Sequence, residues 1–241
     1  MCTVIITVPE DDSRPVRLLA VRDEDPARPW NRLGAWWPDE YPGVVGIRDA
    51  RAGGAWLAAD PATRRLAVLL NRHDLSDRPD AEVHTRGTVA LESVAGRSPD
   101  ARPRTRGFNL VEVTAHTARV ISWDGLEHRT LELPPGTHMV AHDEVDDPHT
   151  ARITRWLPEF RDAAAQPTAA ADGWWRAWLD IVERSADLPG DDDAAIIRRQ
   201  SYEGIPSYSL LVCVATVGED RLVVRDAPLT TPGEWTPEPL G

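Results

Sequence analysis

Lysine is missing from this chain: all 27 basic residues are arginine. That excludes a lysine Schiff base and the lysine of a phosphate-binding P-loop. Cysteine is scarce, with 2 among 241 residues. Cys2 and Cys213 both stand in apolar, strand-like surroundings, and two such thiols fit a reducing compartment better than a disulfide framework. Long apolar runs are missing as well, and none approaches the roughly 20 residues of a membrane span. The N-terminal apolar run is too short for a signal-peptide core and has no basic flank. A cytoplasmic protein is expected. There is no basic surplus, since 39 acidic residues set the formal charge at −12. That argues against a nucleic-acid partner. Neither a C-x-x-C-H haem attachment nor a dinucleotide glycine fingerprint occurs.

What remains has an ordinary globular composition, 41% hydrophobic and 27% charged, on a length that buries a sizeable core. A single domain over 1–241 is expected. TVIITV (3–8) and VRLLAV (16–21) are β-rich runs joined by the turn cluster PEDDSRP, a hairpin signature. GAWLAAD (54–60) and RLAVLLN (65–71) repeat it, and their near-continuous apolar character predicts strands covered on both faces. The spacing over 83–96 predicts a helix stopped by Gly96. FNLVEVTA and ARVISWDG read as another hairpin, followed by strands at HRTLEL and THMVAH. Helices are predicted over 148–160 and 174–186, with an Ala-rich surface loop over 161–173 between them. A last strand pair covers 208–217 and 221–227. Hairpins with helices segregated between them predict an α+β fold layered helix–sheet–sheet–helix.

The chain opens MCTVIITV. A cysteine behind the initiator methionine becomes the first residue once that methionine is trimmed, and its thiol then neighbours an α-amine whose ordinary pKa is roughly 7.7–8.0. A nucleophile and its base in one residue suit acyl chemistry; the plain alternative is a small apolar residue near a terminus. The second strand ends in VRDED, and an antiparallel hairpin returns that end beside Cys2. Arg22 there favours thiolate, Asp23 orients an amine, and Asn71 supplies a neutral donor of the oxyanion-hole kind.

These motifs carry a resemblance. MC at the start, a strand ending in RDE, then GIRDARAGGAWLAAD, LAVLLNRHD, HTRGTVALESV, GFNLVEV, LPPGTHMVAHDEVDDP and SYSLLVCVA resemble, in order and register, the NRDE-motif family. That family is also known as the transport-and-Golgi-organisation-2-like proteins. The resemblance implies a four-layer αββα sandwich like that of the N-terminal-nucleophile (Ntn) hydrolases. It matches Cys2 to the nucleophile, Arg22 and Asp23 to the arginine and acid beside it, and Asn71 to the oxyanion-side amide. Glu24, Trp30, Trp56, Asn109 and His142 are then expected to bind substrate. The chain departs from the family pattern at Val21, where the asparagine of NRDE stands, at His142 in place of another asparagine, and at Pro206 in place of an arginine. Losing one oxyanion donor costs about 3 kcal/mol of transition-state stabilisation.

Two readings follow. One is a cysteine amide hydrolase or acyl transferase acting on C–N bonds, with no catalytic cofactor. The other is a non-catalytic binding or trafficking protein for haem, acyl-CoA or lipid, using the same cleft. Stretch 25–53 reads as a long aromatic loop. Its Trp36, Trp37 and Tyr41, with Trp30 and Trp56, either form a lid over an apolar ligand or pin the loop to the sheet. Gly53 and Gly54 read as a plain turn or a close backbone approach. Trp174, Trp175 and Trp178 read as helix core. His138, His142 and the acids 143–147 match no metal-ligand spacing, so a solvated acidic loop is expected and no metal.

Overall fold

Period-2 alternation in the strands sets the layers. In the computed structural model, which describes residues 2–11, 13–166, 173–202 and 204–240, the chain runs through 13 strands and three α-helices. The strands are β1 (Thr3–Val8), β2 (Val16–Glu24), β3 (Trp30–Gly34), β4 (Val45–Asp49), β5 (Ala55–Asp60), β6 (Arg65–Asn71) and β7 (Phe108–Val113). They continue as β8 (Ala118–Trp123), β9 (His128–Glu132), β10 (Gly136–Val140), β11 (Arg199–Tyr202), β12 (Ile205–Val217) and β13 (Leu222–Pro228). The first sheet has the order β10-β1-β2-β12-β11, with β13 also on β12, and the second runs β3 to β9 in sequence. Every named strand pair is antiparallel.

Because successive strand side chains point to opposite faces, Val4, Ile6, Leu18 and Ala20 of the first sheet meet Leu57, Val68 and Val111 of the second. The other face of the first sheet, carrying Ile5, Leu19 and Val212, is covered by α2 (Ala151–Ala165) and α3 (Arg176–Ser185) through Phe160 and Trp178. The other face of the second sheet lies under α1 (Val89–Val94) and Trp37. The layers are helix, sheet, sheet, helix: an α+β fold. No helix among the described residues is long and apolar enough to cross a membrane.

Several expectations need correction. The stretch 25–53 is not one loop, because it carries β3 and β4; five-residue strands among Pro and Gly leave little periodicity to read. Its aromatics pin rather than cover. Trp37 is buried and donates its indole N–H to the Gly53 carbonyl at 2.7 Å, while Trp36 donates to Arg32 O at 2.8 Å. Helix over 83–96 shrinks to α1, because the backbone of 83–87 bonds instead to Arg104 and to Ala55 at the start of β5. Helix α2 continues through Pro158 to Ala165, into the stretch expected to be loop. The rest of that Ala-rich expectation, 167–172, lies outside the described residues.

The acidic stretch after β10 folds back as a clasp. Asp146 adopts a left-handed φ of 55° and accepts the Met139 N–H at 2.8 Å. His138 Nδ1 lies 2.8 Å from Asp146 Oδ2 and its Nε2 lies 2.9 Å from the Pro134 carbonyl. Both ring nitrogens therefore face acceptors, which only the doubly protonated ring satisfies. Neither is left to ligate a metal. The bond to Asp146 raises the His138 pKa above its ordinary 6.5, outweighing burial. A raised folded-state pKa gives stability that is complete below about pH 6.5 and is lost as pH rises through the folded value. His138→Gln is expected to cost about 1–2 kcal/mol in urea unfolding at pH 5.5 and clearly less at pH 9. A cost that does not change with pH would refute the charged pair.

Candidate functional site

The site starts from register. Thr3 pairs with Val21 across the β1–β2 hairpin, so Cys2, one residue earlier, comes opposite Arg22. Both occupy even positions on their strands and share the inter-sheet face with Val4 and Ala20. Asp23 is odd, and its carboxylate turns to the helix side, where Ser209 Oγ donates to Oδ1 at 2.6 Å. The backbone N–H of Arg198 in turn donates to Ser209 Oγ at 2.9 Å. What Asp23 gives Cys2 directly is its carbonyl, 3.7 Å from Sγ. Ser209 was not foreseen as a partner of Asp23. Only the β2–β12 pairing of Ser209 with Asp23, followed by a bulge before Leu211, reveals it.

Cys2 is 5% exposed and packs into the inter-sheet core. Burial is the main cause that pushes its thiol above the ordinary range, with the Asp23 charge adding to it and Arg22 opposing it. The sulfur is held as a neutral thiol, not a standing thiolate. Cys213 is also buried and free, and its pKa is pushed up still further, chiefly by burial.

Beside Cys2, where β2 and β6 end and β5 begins, opens a cleft of about 440 Å³. Arg22, Glu24, Trp56 and Asn71 line it. Arg22 stacks on the Trp56 ring, its guanidinium carbon 5.5 Å from the centroid, and reaches Glu24 at 3.3 Å. Arg28, Asp49, His84, Thr85, Arg86 and Arg106 were not foreseen there. Arg28 pairs with Asp49 at 2.7 Å, bonds that hold the Asp49 carboxyl below its usual range against the opposing effect of burial. These side chains arrive from three separate loops and the end of β4, so no local spacing in the sequence signals them.

The far wall, 83–87, is fixed by glycine. Gly54 lies so close to Gly87 that a Cβ on Gly54 would sit 2.0 Å from the Gly87 oxygen, and that oxygen accepts the Ala55 N–H at 2.8 Å. Gly53 precedes it with φ +77°. The pair supplies both the turn and the close approach.

Three expected substrate contacts lie elsewhere. Trp30, on β3, is half-buried against the inter-sheet core and does not line the cleft. Asn109 is fully buried. Its amide donates to the carbonyls of Ala141 and Asp143 at 3.2 and 2.8 Å, and its oxygen accepts from Ser122 at 2.7 Å. It ties the chain after β10 to β7. His142 pairs with Asp143 at 3.2 Å, and burial is the main cause lowering its pKa; it also lies outside the cleft lining.

A profile of the family described as Transport and Golgi organisation 2 matches residues 1–207. The chain belongs to the Transport and Golgi organisation 2 family. The match covers both sheets as far as the first residues of β12, and with them every side chain of the cleft. A comparison with curated proteins returns no match. Within the family frame, Val21 faces the helix layer with Ile5 and Leu19. Its apolar side chain there is core, not a donor to the cleft. Pro206 sits on β12 opposite Ser201 and contributes no guanidinium.

Proposed function

We propose that this family member is a binding protein that takes the anionic part of a small molecule, such as haem or an acyl-CoA, into the cleft beside Cys2. The observation that carries the reading is the contrast between the cleft and the thiol. In a chain of formal charge −12, four arginines line one cavity against two carboxylates, with an indole as its apolar wall. Cys2 meanwhile is buried, neutral and outside that lining. A volume near 440 Å³ lies within the roughly 300–1,000 Å³ of ligand sites. The guanidinium-rich lining suits propionates or phosphates, while any longer apolar body extends beyond it.

Titration with haem or palmitoyl-CoA is expected to quench tryptophan fluorescence saturably, and Trp56→Leu to weaken the response. A thiol-reactive acyl probe is expected to leave Cys2 unlabelled in the native protein and to label it after denaturation. Flat titrations with both ligands refute the binding reading. A second reading, a cysteine C–N amide hydrolase or acyl transferase, draws on the hairpin register that sets Arg22 opposite Cys2. It requires a freed α-amine on Cys2. Intact mass lacking the initiator methionine, with rapid native labelling that Cys2→Ser abolishes, would establish it over the first.

A further inference from the structure

We propose that Arg86 is the anchor of the cleft and that the group it holds is a carboxylate. The inference rests on the reading that the cleft is the ligand site, and it names the chemistry of what enters.

The argument is one of charge compensation. Of the guanidinium groups in the lining, Arg22 is met by Glu24 at 3.3 Å and Arg28 by Asp49 at 2.7 Å. Arg106 is met by Asp74 at 3.7 Å, just outside the lining. Arg86 has no such partner. Among the described residues it forms no ion pair, and its one side-chain hydrogen bond runs from Nη1 to the Gly107 carbonyl at 2.7 Å. That bond engages Nη1 and leaves the edge made by Nε and Nη2 without an acceptor among the described residues. Burial lowers the Arg86 pKa, with the Glu24 and Asp74 carboxylates only partly offsetting it. A cation removed from water and left uncompensated is costly, so the site gains when an anion arrives.

The edge also selects the anion. Two parallel N–H groups match the two oxygens of a planar carboxylate. One uncompensated positive charge balances one negative charge, which a carboxylate carries and a phosphate monoester near pH 7 exceeds. The placement is preorganised, because the loop bearing Arg86 is tethered on both sides. His84 N–H donates to the Arg104 carbonyl at 2.8 Å, and the Gly87 carbonyl accepts from Ala55 at 2.8 Å. A carboxylate on Arg86 directs the rest of its molecule along Trp56, Leu69 and Val83. Those side chains present apolar surface.

The test uses the full chain and three probes that share one tail: octanoate, octanamide and octyl phosphate, followed by calorimetry at low salt. Octanoate is expected to bind at least ten-fold more tightly than either of the others. Arg86→Gln is expected to weaken octanoate by about ten- to a hundred-fold and to leave octanamide unchanged, since a charge-assisted contact is lost. Arg86→Lys, which keeps the charge without the paired edge, is expected to fall between. Should Arg86→Gln fail to fold, the three-probe ranking on the unaltered protein decides alone. Equal binding of octanoate and octanamide, tighter binding of octyl phosphate, or no octanoate binding each overturns the anchor. If haem or palmitoyl-CoA still quenches Trp56-dependent fluorescence in those cases, the cleft reading survives without it. If those titrations are flat too, both fall.

Discussion

Replacing Trp178 with alanine is expected to lower stability by about 3–5 kcal/mol, the range for truncating a buried tryptophan. The ring is 2% exposed and meets Phe160 edge-on at 5.5 Å and Trp174 at 5.1 Å. Such pairs add about 0.5–1.5 kcal/mol each beyond the area they bury. Phe160 belongs to α2 and Trp178 to α3, so this one side chain joins both helices over the first sheet. Its neighbour Trp174 is itself held by an indole bond to Thr216 at 3.0 Å, which opposes its swinging into the space. Urea unfolding should show a lower midpoint at an unchanged slope. Trp36→Ala, at a ring 38% exposed, should cost far less. A loss under 1 kcal/mol at Trp178 would mean that the outer helices contribute little to holding the sheet.

The loss has a functional side. Helix α2 carries Arg152, which is 1% exposed and donates to Thr3 Oγ1 at 3.0 Å, one residue from Cys2. Loosening the helix layer therefore reaches the strand end that bears the thiol. Arg152 and Arg198 are buried side by side on that face, and Arg198 is held by the carbonyls of Asp192 and Ala195 at 2.8 and 3.4 Å. At the C-terminal end of β2 the helix side is thus a polar, hydrogen-bonded support under Asp23, whereas Arg22 and Glu24 line the cleft.

That division shows how far the sequence could be read. The hairpins were legible because turn clusters bound their β-rich apolar runs: β1 and β6 occupy the spans those runs predict. The pairing of Cys2 with Arg22 was legible for the same reason. Placing Arg22 and Asp23 together around the thiol overlooked strand alternation, since adjacent strand residues cannot share a face. Strands β3 and β4 escaped notice because their burial is mixed and their length short. Asn109 looked like a binding amide, yet an amide on a fully buried strand must spend its donors internally. Arg86 was illegible in principle. Its position depends on the Gly54–Gly87 approach, a contact between segments that no local pattern connects.

That approach gives the sharpest expectation for the cleft. Gly54→Ala puts a Cβ 2.0 Å from the Gly87 oxygen and 2.2 Å from its Cα, backbone atoms that cannot rotate away. The chain must then break the Ala55–Gly87 hydrogen bond and move 83–87 outward. A stability loss of about 3 kcal/mol follows, at the upper end for overpacking, and Arg86 leaves the wall with the loop. Binding of octanoate should fall by more than ten-fold, although no contact residue has been changed. Gly53→Ala separates the causes. It meets nothing within 4 Å but must hold φ +77°, a left-handed conformation costing about 1–2 kcal/mol in an L-residue. It should therefore destabilise the turn while leaving the 83–87 wall in place and the probe bound. Hydrogen exchange across 83–87 reads the difference directly, with protection lost in Gly54→Ala and kept in Gly53→Ala. Equal exchange and equal affinity in the two variants would show that the glycine contact does not position the cleft wall.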